Sequence, residues 1–144
     1  MMPDHLVYRD YLPSDMRAVI GLWEVCGLTR PWNDPQRDIE RKLTDSNGAF
    51  WVVGQGEDVV ASVMIGYDGH RGSINYLAIT PRLQRSGLGA ELMRRAEAFL
   101  SELGCPKVSF CVRKDNDSVL SFYDSLGYVV DDVHFLGKRL IADD

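Results

Sequence analysis

Between Ile79 and Ala90 the chain reads Ile-Thr-Pro-Arg-Leu-Gln-Arg-Ser-Gly-Leu-Gly-Ala. Two glycines, Gly87 and Gly89, stand where an apolar-periodic helix begins. Glycine there lets the backbone approach a ligand closely, and the unpaired amides of a first helical turn favour an anion. Arg82, Arg85, Arg94 and Arg95 stand against the single Glu91 over the same stretch, in a chain whose formal net charge is −5. That local reversal of sign suits a polyanion such as a pyrophosphate. The same residues also read as a glycine-rich helix start carrying a solvated basic face. Two other phosphate motifs do not fit. No Lys-Ser or Lys-Thr follows the glycines, as a P-loop requires, and Leu92 stands where a dinucleotide fingerprint needs a third glycine or alanine. Further on, Asn116 opens another helix and Tyr123 lies seven residues later. Asn116 suits an N-cap. Tyr123, with Val119, Leu120 and Leu126 on the same helix, suits a core aromatic as well as a proton donor.

Other chemistries find little support. His5, His70 and His134 have no ligand spacing, so no metal is expected. No Gly-x-Ser-x-Gly occurs. Cys26, Cys105 and Cys111 are odd in number and lack a Cys-x-x-Cys pair, which reads as reduced thiols in a cytoplasmic protein. Cys111 is expected to be a small buried apolar residue. An acidic net charge argues against nucleic acid as a partner. No apolar run approaches the length of a membrane span, and the first residues have no signal-peptide pattern. The 144 residues are 45% apolar and 26% charged, an ordinary balance for a folded chain, and their length suits one domain over residues 1–144.

The elements that must position these residues can be read from periodicity. Leu6–Arg9 is a short strand. Met16, Val19, Ile20, Trp23 and Cys26 form one apolar helical stripe, stopped by Gly27. Asp34 and Pro35 start a second, more charged helix with Ile39 and Leu43 inward. Phe50–Gly54, Val59–Tyr67 and Ser73–Thr80 read as three strands joined by turns at Gln55–Asp58 and Asp68–Gly72. A long helix is expected from about Gly87 to Leu103, ended by Gly104 and Pro106. Lys107–Arg113 reads as a strand, Asn116–Leu126 as a helix, and Tyr128–Val130 and His134–Leu140 as two last strands. The expected order is β-αα-βββ-α-β-α-ββ, an α/β domain with a mixed sheet.

Gln84-x-x-Gly87-x-Gly89 after a strand matches the (Gln/Arg)-x-x-Gly-x-(Gly/Ala) motif of the GNAT superfamily of acyl-CoA-dependent N-acetyltransferases. Asn116, then Tyr123, then Leu126-Gly127-Tyr128 resembles that family's second signature. The resemblance spans about residues 5 to 140. The turns at Arg30–Pro35 and Tyr67–Gly72 resemble those of the small bacterial YpeA-like members.

The resemblance implies a fold with helices on both sheet faces. The strand carrying Ile79 and the one at Lys107–Arg113 would run parallel and splay apart as a cleft for acetyl-CoA. It implies that backbone groups of Leu77, Ala78 and Ile79 meet the pantetheine arm and thioester. The motif residues Gln84, Arg85, Ser86, Gly87, Leu88, Gly89 and Ala90 would form the pyrophosphate site, held through the amides from Arg85 to Ala90. Asn116 would bond the pantetheine amides, and Tyr123 would be the general acid for the departing thiolate. The family often places a basic glutamate on the strand of Leu77; here that strand offers Asn75 and Tyr76, leaving Asp68, His70 or water as the base. The expected acceptor is an amine on a small molecule or peptide, drawn by Asp34, Asp38, Glu40 or Asp68, with Trp32 as a wall. The last strands are candidates for pairing across a homodimer. Two other readings stay open: an acyl-CoA-binding sensor or interaction domain without turnover, and a nucleotide-binding domain of another fold.

Overall fold

The computed structural model describes residues 2–143. Four strands, β1 (Leu6–Asp10), β2 (Ala49–Gln55), β3 (Asp58–Tyr67) and β4 (Gly72–Ile79), form an antiparallel sheet in that order. Helices α1 (Met16–Val25) and α2 (Pro35–Lys42) lie between β1 and β2; α3 (Leu88–Glu102) and α4 (Asp117–Ser125) follow β4. Together with the helices, this is the mixed α/β architecture expected from the sequence.

Helices cover both sheet faces, which explains the strand compositions. Val60 to Ile65 of β3 are all buried, because neither face meets water. On one face Val19, Leu22 and Trp23 of α1 and Ile39 of α2 pack with Phe50, Val52, Met64 and Ala78. On the other, Leu88, Leu92, Ala96 and Leu100 of α3 and Tyr123 of α4 pack with Val53, Ala61, Val63, Ile65 and Ile74. The start of α2 follows its sequence signals: Asp34 Oδ1 accepts from the Gln36 N–H at 3.0 Å, and Pro35 takes the first helical position.

The chain after α3 departs from expectation. Lys107–Arg113 runs parallel to β4, but only Gly72 and Val108 form a bridge. Its hydrogen bonds are Gly72 N–H to Lys107 O and Ser109 N–H to Gly72 O, both 2.9 Å. Val108, Phe110 and Val112 pack against the core while Ser109, Cys111 and Arg113 are exposed. The alternation is that of a strand without a ladder, and it corrects the expectation for Cys111. The expected strands Tyr128–Val130 and His134–Leu140 do not form. Apolar alternation marks a segment able to pair, but a strand exists only where a neighbour offers its edge. The tail is held elsewhere: Arg41 grips the Asp143 carboxylate at 2.8 and 2.9 Å, and Arg139 donates to Asn33 at 2.6 Å. Among the described residues no helix is long and apolar enough to cross a membrane.

The turn into α1 is fixed by a buried carboxylate. Asp15 accepts from both terminal nitrogens of Arg9, at 2.7 and 2.9 Å, and from the Leu12 N–H at 2.8 Å. Hydrogen bonding to Arg9 is the main cause holding the Asp15 carboxyl below its ordinary range. A carboxyl so lowered contributes stability above its unfolded pKa of about 3.9. That contribution is lost as pH falls through the lower folded value. Asp15→Asn is therefore expected to cost about 1–3 kcal/mol at pH 7. The gap from the parent chain should narrow at acid pH, as denaturant unfolding at neutral and acid pH will show.

Candidate active site

The site begins with an irregularity in β4. Ser62 pairs with Ala78 and Met64 with Asn75, so Val63 alone stands opposite both Tyr76 and Leu77. This is a β-bulge, and Tyr76 takes a left-handed backbone, φ 52°. The extra residue changes which face each side chain meets. Ile74 packs in the α3 layer, yet Tyr76 and Ala78, at even steps from it, pack in the α1 layer. Leu77 and Ile79 are thereby turned toward α3 and α4.

The bulge is clamped from the α1 side. The Trp23 indole N–H donates to Ser62 Oγ at 2.9 Å, and the Ser62 hydroxyl donates to the Tyr76 carbonyl at 2.9 Å. Tyr76 stacks on Trp23 with ring centroids 3.7 Å apart. Its phenol donates to Asp38 Oδ2 at 2.6 Å. Burial, and then the Asp38 carboxylate, push that phenol far above its ordinary value.

At the end of β4 the chain turns into the glycine loop. The Gln84 side-chain amide donates to the Ile79 carbonyl at 3.0 Å, and the Cys26 thiol donates to the same oxygen at 3.2 Å. Arg85 and Gly87 are both left-handed, with φ 64° and 91°. Left-handed residues in a turn shape backbone N–H groups into an anion-binding concavity. Ser86 ties this loop together, donating to Leu83 O at 2.5 Å. The first helical bond runs from the Glu91 N–H to Gly87 O, so the N–H groups of Leu88, Gly89 and Ala90 precede the ladder. Leu88 N–H finds only Ser86 Oγ, at 3.4 Å. Glu91 pairs with Arg94 and Arg95, which hold its carboxyl down to about 2. Arg82 reaches Gln55 and Asp58. Among the described residues, Arg85 has no acidic partner and is the loop's available cation.

α4 closes against this loop. A Cβ on Gly89 would lie 3.2 Å from Phe122 and 3.7 Å from Ile79, so the second glycine lets Phe122 pack closely on the start of α3. The next residue, Tyr123, is 7% exposed and packs its ring against Phe110 at 4.6 Å and Tyr128 at 5.7 Å. Burial alone pushes its phenol up to about 12. The end of β4 and the start of α3 thus meet α4 at Phe122, and Tyr123 beside it shares one buried cluster with Leu77, Ile79 and Leu88. A cleft of about 340 Å³ lined by Tyr11, Trp51 and Phe99 lies at the opposite, Gly72 end of the sheet.

Comparison with known proteins bears on the family and the fold. The sequence profile of the acetyltransferase (GNAT) family matches residues 16–128. The chain belongs to the GNAT family of acetyltransferases. It is 48% identical over 135 residues to an acetyltransferase of Pectobacterium atrosepticum, covering 94% of this chain and 96% of that one. An acetyltransferase of Yersinia enterocolitica has the same identity and coverage. An acetyltransferase from Streptococcus agalactiae superposes with a TM-score of 0.79 at 16% identity, covering 98% of this chain and 94% of that one. The aminoglycoside N-acetyltransferase AAC(6')-Iy, in complex with the bisubstrate analogue CoA-S-monomethyl-acetylneamine, gives 0.76 at 15% identity, with 94% and 99% covered. These two likenesses are of fold.

Within this GNAT fold the expected residues do not all face one way. Leu77, Ile79, Leu88 and Tyr123 share one buried cluster, whereas Ala78 belongs to the other layer. Asn116 caps α4, its Oδ1 accepting from the Val119 N–H at 3.4 Å. Asp68 serves its turn, accepting from the His70 and Arg71 N–H groups at 2.8 and 2.7 Å. That turn, with His70, lies at the far end of β4 from Ile79. Asp34 caps α2 and Glu40 accepts from Gln36. Trp32 is half-exposed beneath the Arg113 guanidinium, 5.4 Å away. Asp38 is the carboxylate that meets the bulge. Sequence reasoning missed the clamp formed by Trp23, Ser62 and Tyr76. Its one visible signal was a serine among the apolar residues of β3. Ser62→Ala would leave the Trp23 N–H and the Tyr76 carbonyl without this partner. It is expected to cost about 1–3 kcal/mol, measured by thermal or denaturant unfolding.

Proposed function

We propose that this GNAT acetyltransferase moves an acetyl group from acetyl-CoA to a primary amine by direct attack within a ternary complex. The observation that carries the reading is the left-handed loop at Arg85 and Gly87 following β4, with Leu77, Ile79, Leu88 and Tyr123 in one buried cluster beside it. In this proposal the N–H groups from Arg85 to Ala90 hold the pyrophosphate, with Arg85 as the added cation. Gln84 and Ser86 hold the loop in shape. Backbone groups of Leu77, Ala78 and Ile79 receive the pantetheine arm and thioester. The cap residue Asn116 stands at the start of α4 to meet the pantetheine amides.

The chemistry asked of the chain is modest. A C–N bond forms to the acetyl carbon and the C–S bond breaks. Backbone amide near Leu77–Ile79 stabilises the oxygen as charge develops on it. Tyr123 gives its proton to the departing thiolate, a step typically worth about 10²–10⁴-fold. The amine loses its proton through water. Asp38, held by Tyr76 beside the bulge, draws the cationic amine toward the acyl position. The acceptor class is a cationic primary amine on a small molecule or peptide. Three free cysteines support a reducing, cytoplasmic setting for one domain over residues 1–144.

Titration calorimetry with acetyl-CoA, ATP and NAD tests the donor. Acetyl-CoA alone is expected to bind at about −8 kcal/mol or better, which is micromolar. Binding of ATP or NAD in its place would point to another nucleotide fold, and no binding at millimolar acetyl-CoA would end the transferase reading. Tyr123→Phe tests the acid. Its hydroxyl has no hydrogen-bond partner among the described residues, so the variant should keep its thermal midpoint and its acetyl-CoA affinity. Thiol release in an amine screen should fall roughly tenfold or more. Unchanged turnover would remove Tyr123 as the acid, and binding without any turnover in the parent chain would favour the sensor reading. A phenol raised to about 12 keeps its proton at ordinary alkaline pH. Hence activity is expected to show no loss from Tyr123 ionisation up to about pH 10.

A further inference from the structure

Asp10, the last residue of β1, stands directly opposite Trp51 of β2, so the two side chains are neighbours on one face of the sheet. Phe99 of α3 meets the Trp51 ring edge to face, with centroids 5.6 Å apart. Trp51 and Phe99 are partly exposed, and with Asp10 they line the cleft of about 340 Å³ at the Gly72 end of the sheet. We propose that this cleft binds a small organic ammonium ion, its charge held between the Asp10 carboxylate and the Trp51 and Phe99 rings. The site lies away from the glycine loop and does not rest on the transferase reading.

The sign of the ligand follows from how the nearby charges are already spent. Lys42 is the cation among the residues lining the cleft. Its side chain is 12% exposed, and its ammonium donates to Asp45 Oδ2 at 2.8 Å and to the Ile65 carbonyl at 2.5 Å. Gly48 leaves room for that ammonium, since any Cβ there would collide with it and with the Ile65 carbonyl. Arg9 gives its guanidinium to the Asp15 carboxylate and reaches only the backbone oxygen of Asp10. Arg95 lies over the Tyr8 ring, 3.6 Å from its centroid, and pairs with Glu91. The Asp10 carboxylate is left without an ion-pair partner among the described residues. A carboxylate beside two aromatic rings attracts a cation both by its charge and through the ring quadrupoles. An anion would meet Asp10 and Asp45 with no free cation to receive it. The wall also holds an unmet polar group. Tyr11 lines the cleft, and its hydroxyl is the one buried side-chain polar atom among the described residues without a hydrogen-bond partner. Buried polar atoms are nearly always paired, so this wall is completed by an occupant. The volume is at the low end of small-molecule pockets, about 300–1,000 Å³, which keeps the ligand small.

Choline and its neutral carbon counterpart, 3,3-dimethylbutanol, are the probes. Nuclear magnetic resonance of the full chain follows the indole N–H signals of Trp23, Trp32 and Trp51 as each probe is added. Choline is expected to shift the Trp51 signal with a Kd of roughly a millimolar or tighter. It should bind at least about tenfold more tightly than the neutral probe. No saturable shift up to about 50 mM choline overturns the proposal. Equal binding of the two probes overturns the cation assignment. A choline shift confined to Trp32 places the ammonium beside Asp38 and overturns the site. Asp10→Asn, at an exposed strand end, should leave circular dichroism and the thermal midpoint unchanged. It should weaken choline at least roughly fivefold through loss of the carboxylate charge. Phe99→Leu keeps an apolar side chain on α3 and should weaken choline while sparing acetyl-CoA affinity. If both variants bind choline as tightly as the parent, the cleft is not the site. Acetyl-CoA titration of the same samples reads the transferase proposal separately, so either can fail alone.

Discussion

The arrangement of the site depends on one bulge held in one place. Tyr76 occupies a left-handed conformation that a bulky side chain does not adopt by preference. Three contacts from the α1 side keep it there: the Ser62 hydroxyl on its carbonyl, the Trp23 ring against its ring, and Asp38 on its phenol. Without the extra residue, Leu77 and Ile79 would exchange faces with Tyr76 and Ala78. The strand end would then turn its large aliphatic side chains toward α1, and the layer containing Leu88 and Tyr123 would lose part of its wall. A buried serine and a tryptophan N–H thus decide, from the opposite face of the sheet, what the start of α3 and the phenol of α4 meet.

Charge is organised differently from its appearance in the sequence. Four arginines around the glycine loop suggest a strongly basic surface. In the fold, Glu91 takes up Arg94 and Arg95, and Arg82 turns to Gln55 and Asp58. What remains is one free guanidinium beside a ring of backbone N–H groups. In the proposed function, recognition of the pyrophosphate rests on main-chain geometry more than on summed charge.

Much of this was legible in the residues, for identifiable reasons. The helix stripe of Met16 to Cys26, the Asp34–Pro35 start and the Gln84–Gly89 loop are local signals, and each forms where expected. Fold class followed from element order. The bulge was not legible, because Ser73–Thr80 has an unbroken strand composition and nothing local marks Tyr76 as left-handed. Asp68 was a candidate base from its closeness in sequence to β4, and such closeness does not say which end of an eight-residue strand a residue meets; here it is the end away from Ile79. The last strands failed as expectations because pairing is a property of two segments. Val129, Phe135 and Leu136 make a strand pattern, but no ladder follows from pattern alone. Cys111 was expected inside because cysteine usually is; alternation about Val108, Phe110 and Val112 puts it outside.

Gly72 gives the molecule a mechanical character. It joins β4 to the parallel segment through two hydrogen bonds, and any side chain there would collide with Leu100, 2.8 Å from the would-be Cβ, and Cys105. Beyond that point the two segments share no ladder. From Gly72 to Ile79 the strand extends about 20 Å at 3.3 Å per residue. Over that length β4 is held to β3, from Tyr67 opposite Gly72 to Ala61 opposite Ile79. The segment after Gly72's partner Val108 has no such hold, so the two parallel segments are pinned together at one point, far from the glycine loop. Leu100 and Cys105, which press on Gly72, therefore fix the place where the pairing stops without approaching Ile79.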